Sequence, residues 1–114
     1  MMDIKERLEL IRLSDVLLKS YQSELSSLLR YNTGLPAQIK AIKTVKEKML
    51  KLEAERITIN DLINKLDNPL YQTILRLYYF DNMSFRDIAI KLYYHQKTIT
   101  RYHHNAIENL KLLS

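Results

Sequence analysis

A chain of 114 residues, 46% apolar and 27% charged, is long enough for one packed domain or a small domain with a helical extension. One Gly and two Pro argue against a turn-rich all-β architecture and for an all-α one, and the lack of Cys excludes disulfides and thiolate metal sites. The net charge of +5 suits a polyanionic partner; no apolar run reaches the ~18–20 residues of a bilayer span, and the charges between Met1 and Leu10 do not suit a signal peptide. The expectation is a soluble protein of the cytoplasm with no membrane contact.

Residues 2–31 form the first helical block. Ile4, Leu8, Ile11, Leu18, Tyr21, Leu25, Leu28 and Leu29 recur at three-, four- and seven-residue steps, which makes one apolar stripe. Asn32-Thr33-Gly34-Leu35-Pro36 ends it, with Gly expected as the cap and Pro restarting the chain. The second block runs from about Ala37 to Leu66. Ile42, Val45, Met49, Leu52, Ile59, Ile63 and Leu66 fall on an alternating three–four spacing interrupted only by Arg56, an a/d seam. Helices of about 30 residues are roughly 45 Å long. Joined by a short loop, the two predict a long antiparallel hairpin.

Asp67-Asn68-Pro69 marks the next boundary, a capping residue ahead of a Pro suited to the first turn. A helix from Leu70 to Phe80 follows, with Ile74, Leu75 and Tyr78 on its inner face. Asp81-Asn82-Met83 is a turn, and Ser84 is the expected N-cap of the next helix, which reaches about Leu92 and buries Phe85, Ile88, Ala89 and Leu92. Ala89 lies where the last helix presses closest. Tyr93-Tyr94-His95 makes the turn, and the last helix starts near Gln96 and buries Ile99, Tyr102, Ala106, Leu110 and Leu113. Gln96, Lys97, Thr100, Arg101 and His104 then point outward. Gln pairs bidentately with adenine, Arg or Lys with guanine, and a Thr methyl meets thymine. This pattern is that of a DNA-binding helix-turn-helix, whose second helix reads base edges through its N-terminal turns. Charge leans the same way. Residues 1–33 hold five basic and five acidic side chains, residues 34–67 seven and five, and residues 68–114 six and three with all three histidines.

The span from Asn68 to Leu113 resembles region 4 of bacterial sigma-70-type factors, and more closely the phage transcription regulators of the ArpU, RinA and LtrC kind. The residues that carry the resemblance are Ile88-Ala89, Leu92, Tyr94, Thr98-Ile99, Arg101, His103 and Ala106 with Leu110. The long, charged, helical first half resembles the LtrC-type proteins. The resemblance implies a regulator from a phage or mobile element of low-GC Gram-positive bacteria that switches on late genes, with base contacts at Gln96, Lys97, Thr100 and Arg101. Two positions depart from the family pattern: Tyr93 stands where relatives often have Gly or Asn, and His95 where a Ser usually caps the recognition helix. A Tyr at positive φ is costly, so the turn is expected to be strained or different.

Domain organisation is read as a hairpin over residues 1–66, for oligomerisation or partner binding, and a helix-turn-helix DNA-binding domain over residues 67–114. Leu10, Leu13, Leu17, Leu50, Ile57 and Leu62 flank the seam. A single hairpin does not cover them all, so a homodimer is expected, or else packing of these residues on the C-terminal motif of the same chain. The run Lys40, Lys43, Lys46, Lys48 and Lys51 reads as a solvated helix face, with a secondary DNA contact as its alternative. The tyrosines read as core-edge residues, His103 as a helix-flank residue and His104 as a phosphate contact. Adjacent histidines point about 100° apart on a helix and have no carboxylate cluster beside them, so no metal is expected. No Gly-rich phosphate loop and no Ser/His/Asp arrangement is evident, so no enzyme and no cofactor is expected. The alternative function is a helical protein-binding module that engages RNA polymerase or another host protein, with DNA contact incidental.

Overall fold

The computed structural model describes residues 2–31 and 33–114. Met1 and Asn32, the latter part of the expected first break, lie outside the described residues. The described residues are all-α, with five helices among them: α1 Ile4–Arg30, α2 Pro36–Asn64, α3 Pro69–Tyr79, α4 Phe85–Leu92 and α5 Gln96–Leu113. The residues form two compact units, Met1–Arg12 with Thr58–Ser114, and Leu13–Ile57. Both limits fall inside the long helices, not at the 66/67 boundary read from the sequence.

The first unit holds most of the core. Ile4, Leu8 and Ile11 of α1 join Ile59, Ile63 and Leu66, Leu75 and Tyr79 of α3, and Ala106, Ile107 and Leu110 of α5. A second cluster ties α3 to α4 and α5 through Ile74, Leu77, Ile88, Ala89 and Ile99. On the α3 inner face Ile74 and Leu75 are buried as expected, but Tyr79 is buried with them while Tyr78 is only half-buried. Leu62, one of the seam-flanking residues, packs on the first cluster. Asn68 caps α3 as anticipated: its Oδ1 accepts from the N–H of Leu70 (2.9 Å) and Tyr71 (3.3 Å), ahead of Pro69 in the first turn. Gln72 Nε2 donates to the Leu66 carbonyl (2.6 Å), and Arg76 donates to Asn60 and Asn64, which fastens α3 to the end of α2.

The second unit is an antiparallel pair of helix segments. Arg56, the residue that interrupts the apolar seam, donates to Ser14 Oγ (2.5 Å) and Asp15 Oδ1 (2.8 Å). The break in the α2 stripe thus meets the break in the α1 stripe between Ile11 and Leu18, and the two polar positions satisfy one another. Toward the connection, Lys48 lies over the Tyr21 ring at 6.0 Å. Gln38 closes the loop: its Oε1 accepts from Thr33 N–H (2.7 Å) and Oγ1 (2.8 Å), and its Nε2 donates to the carbonyls of Leu28 (2.7 Å) and Tyr31 (2.8 Å). The Leu28 carbonyl in the last turn of α1, and the Tyr31 carbonyl just past it, are therefore satisfied by a Gln side chain. Gly34, expected to cap α1, lies four residues past its end with φ 74 and shapes the loop instead.

Candidate nucleic-acid interface

The candidate interface is built by α4, its turn and α5. Ser84 starts α4, its Oγ accepting from the Asp87 N–H (3.1 Å). Ile88 and Ala89 are buried against Ile99 of α5. Ala89 has the small side chain that this approach requires, since extra carbons there would force the helices apart. After Leu92 the chain turns in the left-handed region at Tyr93 (φ 61, ψ 42). The N–H groups of both Tyr93 and Tyr94 return to the Ala89 carbonyl, the latter at 3.0 Å, which closes the helix end in the way a Gly ordinarily does. The tyrosine expected to be costly here does adopt positive φ, and its side chain is 95% exposed. His95 takes the N-cap position of α5 in an extended conformation and makes no capping bond with its side chain.

All five residues expected to face outward do so. Gln96, Lys97, Thr100, Arg101 and His104 are exposed on one side of the first turns of α5. His95, Gln96, Lys97 and Thr100 line one open recess. Thr100 donates its hydroxyl hydrogen to the Gln96 carbonyl (3.1 Å), which leaves its methyl and the acceptor side of its oxygen for a partner. The Arg101 guanidinium carbon is 5.4 Å from the Tyr102 ring centroid, which limits its wandering without neutralising it. The first acidic residue along α5 is Glu108, which pairs with Lys111 (3.1 Å) and leaves Lys97 and Arg101 uncompensated on their own helix.

The buried side of α5 departs from the sequence reading at four residues. Leu113, expected inside, is exposed, and Tyr102 is half-buried, while Ile107 and His103 are inside. The cause is that α5 serves two clusters: its N-terminal half meets α3 and α4, whereas Ala106, Ile107 and Leu110 also meet α1 and α2. A helix packed on two sides buries a wider arc than one stripe.

His103 is thus a core residue and not a flank residue. Its Nε2 is 2.8 Å from the Tyr79 hydroxyl, and its ring sits among Tyr78, Tyr79 and Phe85, with centroids 4.8–5.5 Å away. Burial above all, then the positive charges of Lys5, His104 and Arg12, lower its pKa to about 4, so the imidazole is neutral near pH 7. Burial likewise pushes the Tyr79 phenol well above its ordinary value. The 99–103–106–110 spacing carries His103 on the apolar face, a signal that was present in the sequence. Arg12 had no such signal. It reaches from α1 to donate to the carbonyls of Tyr78 (2.5 Å) and Met83 (3.2 Å), and its guanidinium carbon lies 3.9 Å from the Tyr78 centroid. Those partners are more than sixty residues away. Arg12 fixes the α3–α4 turn and with it the base of the motif.

The fold and this face define an all-α protein with a helix-turn-helix of two closely crossing helices, whose second helix turns a polar, cationic side to solvent. Residues 37–111 match a family model described as a protein of unknown function (DUF1492), and the chain belongs to that family. No curated protein and no solved structure matches the chain. No group of three or more His, Cys, Asp or Glu side chains placed to hold a metal occurs among the described residues, and no described helix is long and apolar enough to cross a membrane.

Proposed function

We propose that this protein is a sequence-specific DNA-binding transcription regulator that inserts α5 into the major groove of double-stranded DNA. One observation carries the reading: Gln96, Lys97, Thr100, Arg101 and His104 share the exposed side of α5, opposite the buried Ile99 and Ala106. In this role Gln96 and Arg101 read adenine and guanine edges, Thr100 offers its methyl, and Lys97 and His104 hold phosphates. The resemblance of residues 68–113 to sigma-70 region 4-like regulators supports a phage or mobile-element origin, an activating role at late genes and action in the host cytoplasm. The protein acts without a cofactor and is not an enzyme.

The active species in this proposal is a dimer, because one motif with few cations gains affinity by pairing half-sites. Of the seam-flanking residues, Leu13, Leu50 and Ile57 are more than half exposed, while Leu10 and Leu17 are half-buried. A second reading, docking to RNA polymerase, draws on Ile90 and Tyr93, exposed apolar side chains three residues apart at the end of α4. A gel shift with the element's own promoter DNA tests the first reading. Arg101→Ala and Gln96→Ala should each weaken specific binding by about 1–3 kcal/mol with the fold intact. Capture of purified polymerase without DNA, lost on Ile90→Ser, would favour the second reading.

A further inference from the structure

All of the net charge of this protein resides in one end of one hairpin. Between residues 19 and 51 there are seven Lys and Arg side chains and two acids, Glu24 and Glu47, whereas the rest of the chain carries eleven of each sign. Division of the sequence at the loop hides this, because it assigns the two strands of the hairpin to different segments. The antiparallel pairing restores it: Gln38 bonds back to Leu28 and Tyr31, and Lys48 covers Tyr21, so the segments from 19 to 31 and from 38 to 51 lie side by side. Lys40, Lys43, Lys46 and Lys51 are all exposed. Among the described residues none of these four is in an ion pair.

From this we infer that the outer side of α2 between Lys40 and Lys51 is a second nucleic-acid contact, which binds the phosphodiester backbone without regard to sequence. Four chemical points select that partner. The cations on α2 here are all lysines, compact charges on flexible stems that suit phosphate oxygens and lack the planar fork that reads a base edge. From Lys40 to Lys51 they extend about 16 Å along the helix, a length over which a duplex presents many phosphates. The apolar residues of α2 are largely committed to the seam, where Val45 and Leu52 are buried and Ile42 and Met49 half-buried. Ile39 and Leu50 are the large apolar residues exposed on α2 within or beside the run, which is too little for a lipid-inserting stripe. The exposed Leu29, Tyr31 and Leu35 belong to the end of α1 and the loop, before the lysine run begins.

The inference does not depend on readout by α5. The test is fluorescence anisotropy of the full chain with a random-sequence DNA duplex over a series of KCl concentrations. The variant carrying Lys40→Gln, Lys43→Gln, Lys46→Gln and Lys51→Gln should bind at least about ten-fold more weakly at low salt. Its plot of log affinity against log salt should be shallower by about 3–4, from a slope of roughly 0.9 per phosphate contact. The same positions changed to Arg should retain the parent's affinity and slope. The Gln96→Ala, Arg101→Ala double variant should keep most of this random-sequence binding, whatever it does to a promoter. An unchanged slope in the Gln variant overturns the inference, as does equal loss in the Arg variant, which would assign the effect to the helix and not its charge. Lysine-dependent binding to phosphatidylserine vesicles without binding to the duplex would also overturn it, in favour of a membrane surface. If the α5 double variant alone abolishes random-duplex binding, the α2 contact fails while readout by α5 stands.

Discussion

The two compact units of this protein divide the same two long helices between them, yet they are built to different standards. In the unit of Met1–Arg12 and Thr58–Ser114, five helices converge and two apolar clusters fill the space between them. In the unit of Leu13–Ile57, two helix segments face each other, and among its described residues only Ser14, Val45 and Leu52 are buried. A pair of helices has one seam and leaves its outer faces in water, whereas a helix surrounded by others loses several faces to the core. The helix-turn-helix packs on α1 and the end of α2 through one shared cluster. Six of the eleven buried residues in the larger cluster precede residue 67 in the chain.

The sharpest way to break this comparison is to cut the chain where the sequence suggests. A fragment of residues 67–114 loses Ile4, Leu8, Ile11, Ile59, Ile63 and Leu66 from its core, and it is expected to show no cooperative thermal transition by circular dichroism. Replacement of residues 13–57 by a short Gly-rich linker should, in contrast, leave a cooperative transition. If the fragment of 67–114 melts as sharply as the full chain, the first unit has been drawn too large.

Next in size is the interior of the motif. Ile99 is fully buried, so Ile99→Asp places an unpaired charge in the core and should cost more than about 3 kcal/mol, with a lowered melting temperature. Ala89→Leu should act in the same direction through overpacking, by about 1–3 kcal/mol. A normally stable Ile99→Asp variant would put that residue on the surface.

His103 gives the first unit a pH dependence. Its folded pKa, about 4, lies below the ordinary 6.5, so the unfolded chain binds the extra proton first. The stabilisation is complete above about pH 6.5 and is lost as pH falls through the window toward 4, by on the order of 3 kcal/mol. Denaturant titrations from pH 7 to pH 4 should show this loss, and His103→Leu should flatten it. An equal slope in His103→Leu would assign the dependence to other groups.

The smallest effect concerns the turn. Tyr93→Asn should raise stability by about 1 kcal/mol, because the position is left-handed and the Tyr ring packs on nothing that would be lost. A lower melting temperature for this variant would show that the ring has a structural contact after all.

Much of this architecture was legible in the sequence because the signals are local. Asn68-Pro69 and Ser84 mark helix starts through bonds to amides two or three residues on, and the three–four steps of Phe85, Ile88, Ala89 and Leu92 in α4 and of Ile99, Tyr102, Ala106 and Leu110 in α5 identify the crossing. The outward side of α5 follows from the same steps. What remained hidden is set by distant partners. Arg12 acts on carbonyls more than sixty residues away, and the exposure of Leu113 with burial of Ile107 depends on where α1 and α2 arrive. The role of Arg56 needed Ser14 and Asp15 across the hairpin, and Gln38 replaced the Gly34 cap through a side chain on the far side of the loop.

The central claim is that the exposed side of α5 reads base sequence. Selection of bound duplexes from a random DNA library, with the full chain and with its Gln96→Ala, Arg101→Ala variant, tests it most directly. The account expects the parent to enrich a defined motif with conserved A·T and G·C positions, and the variant to lose the preference at those positions while its melting temperature is unchanged. Enrichment of no motif by the parent, or of the same motif at the same strength by the variant, would contradict it.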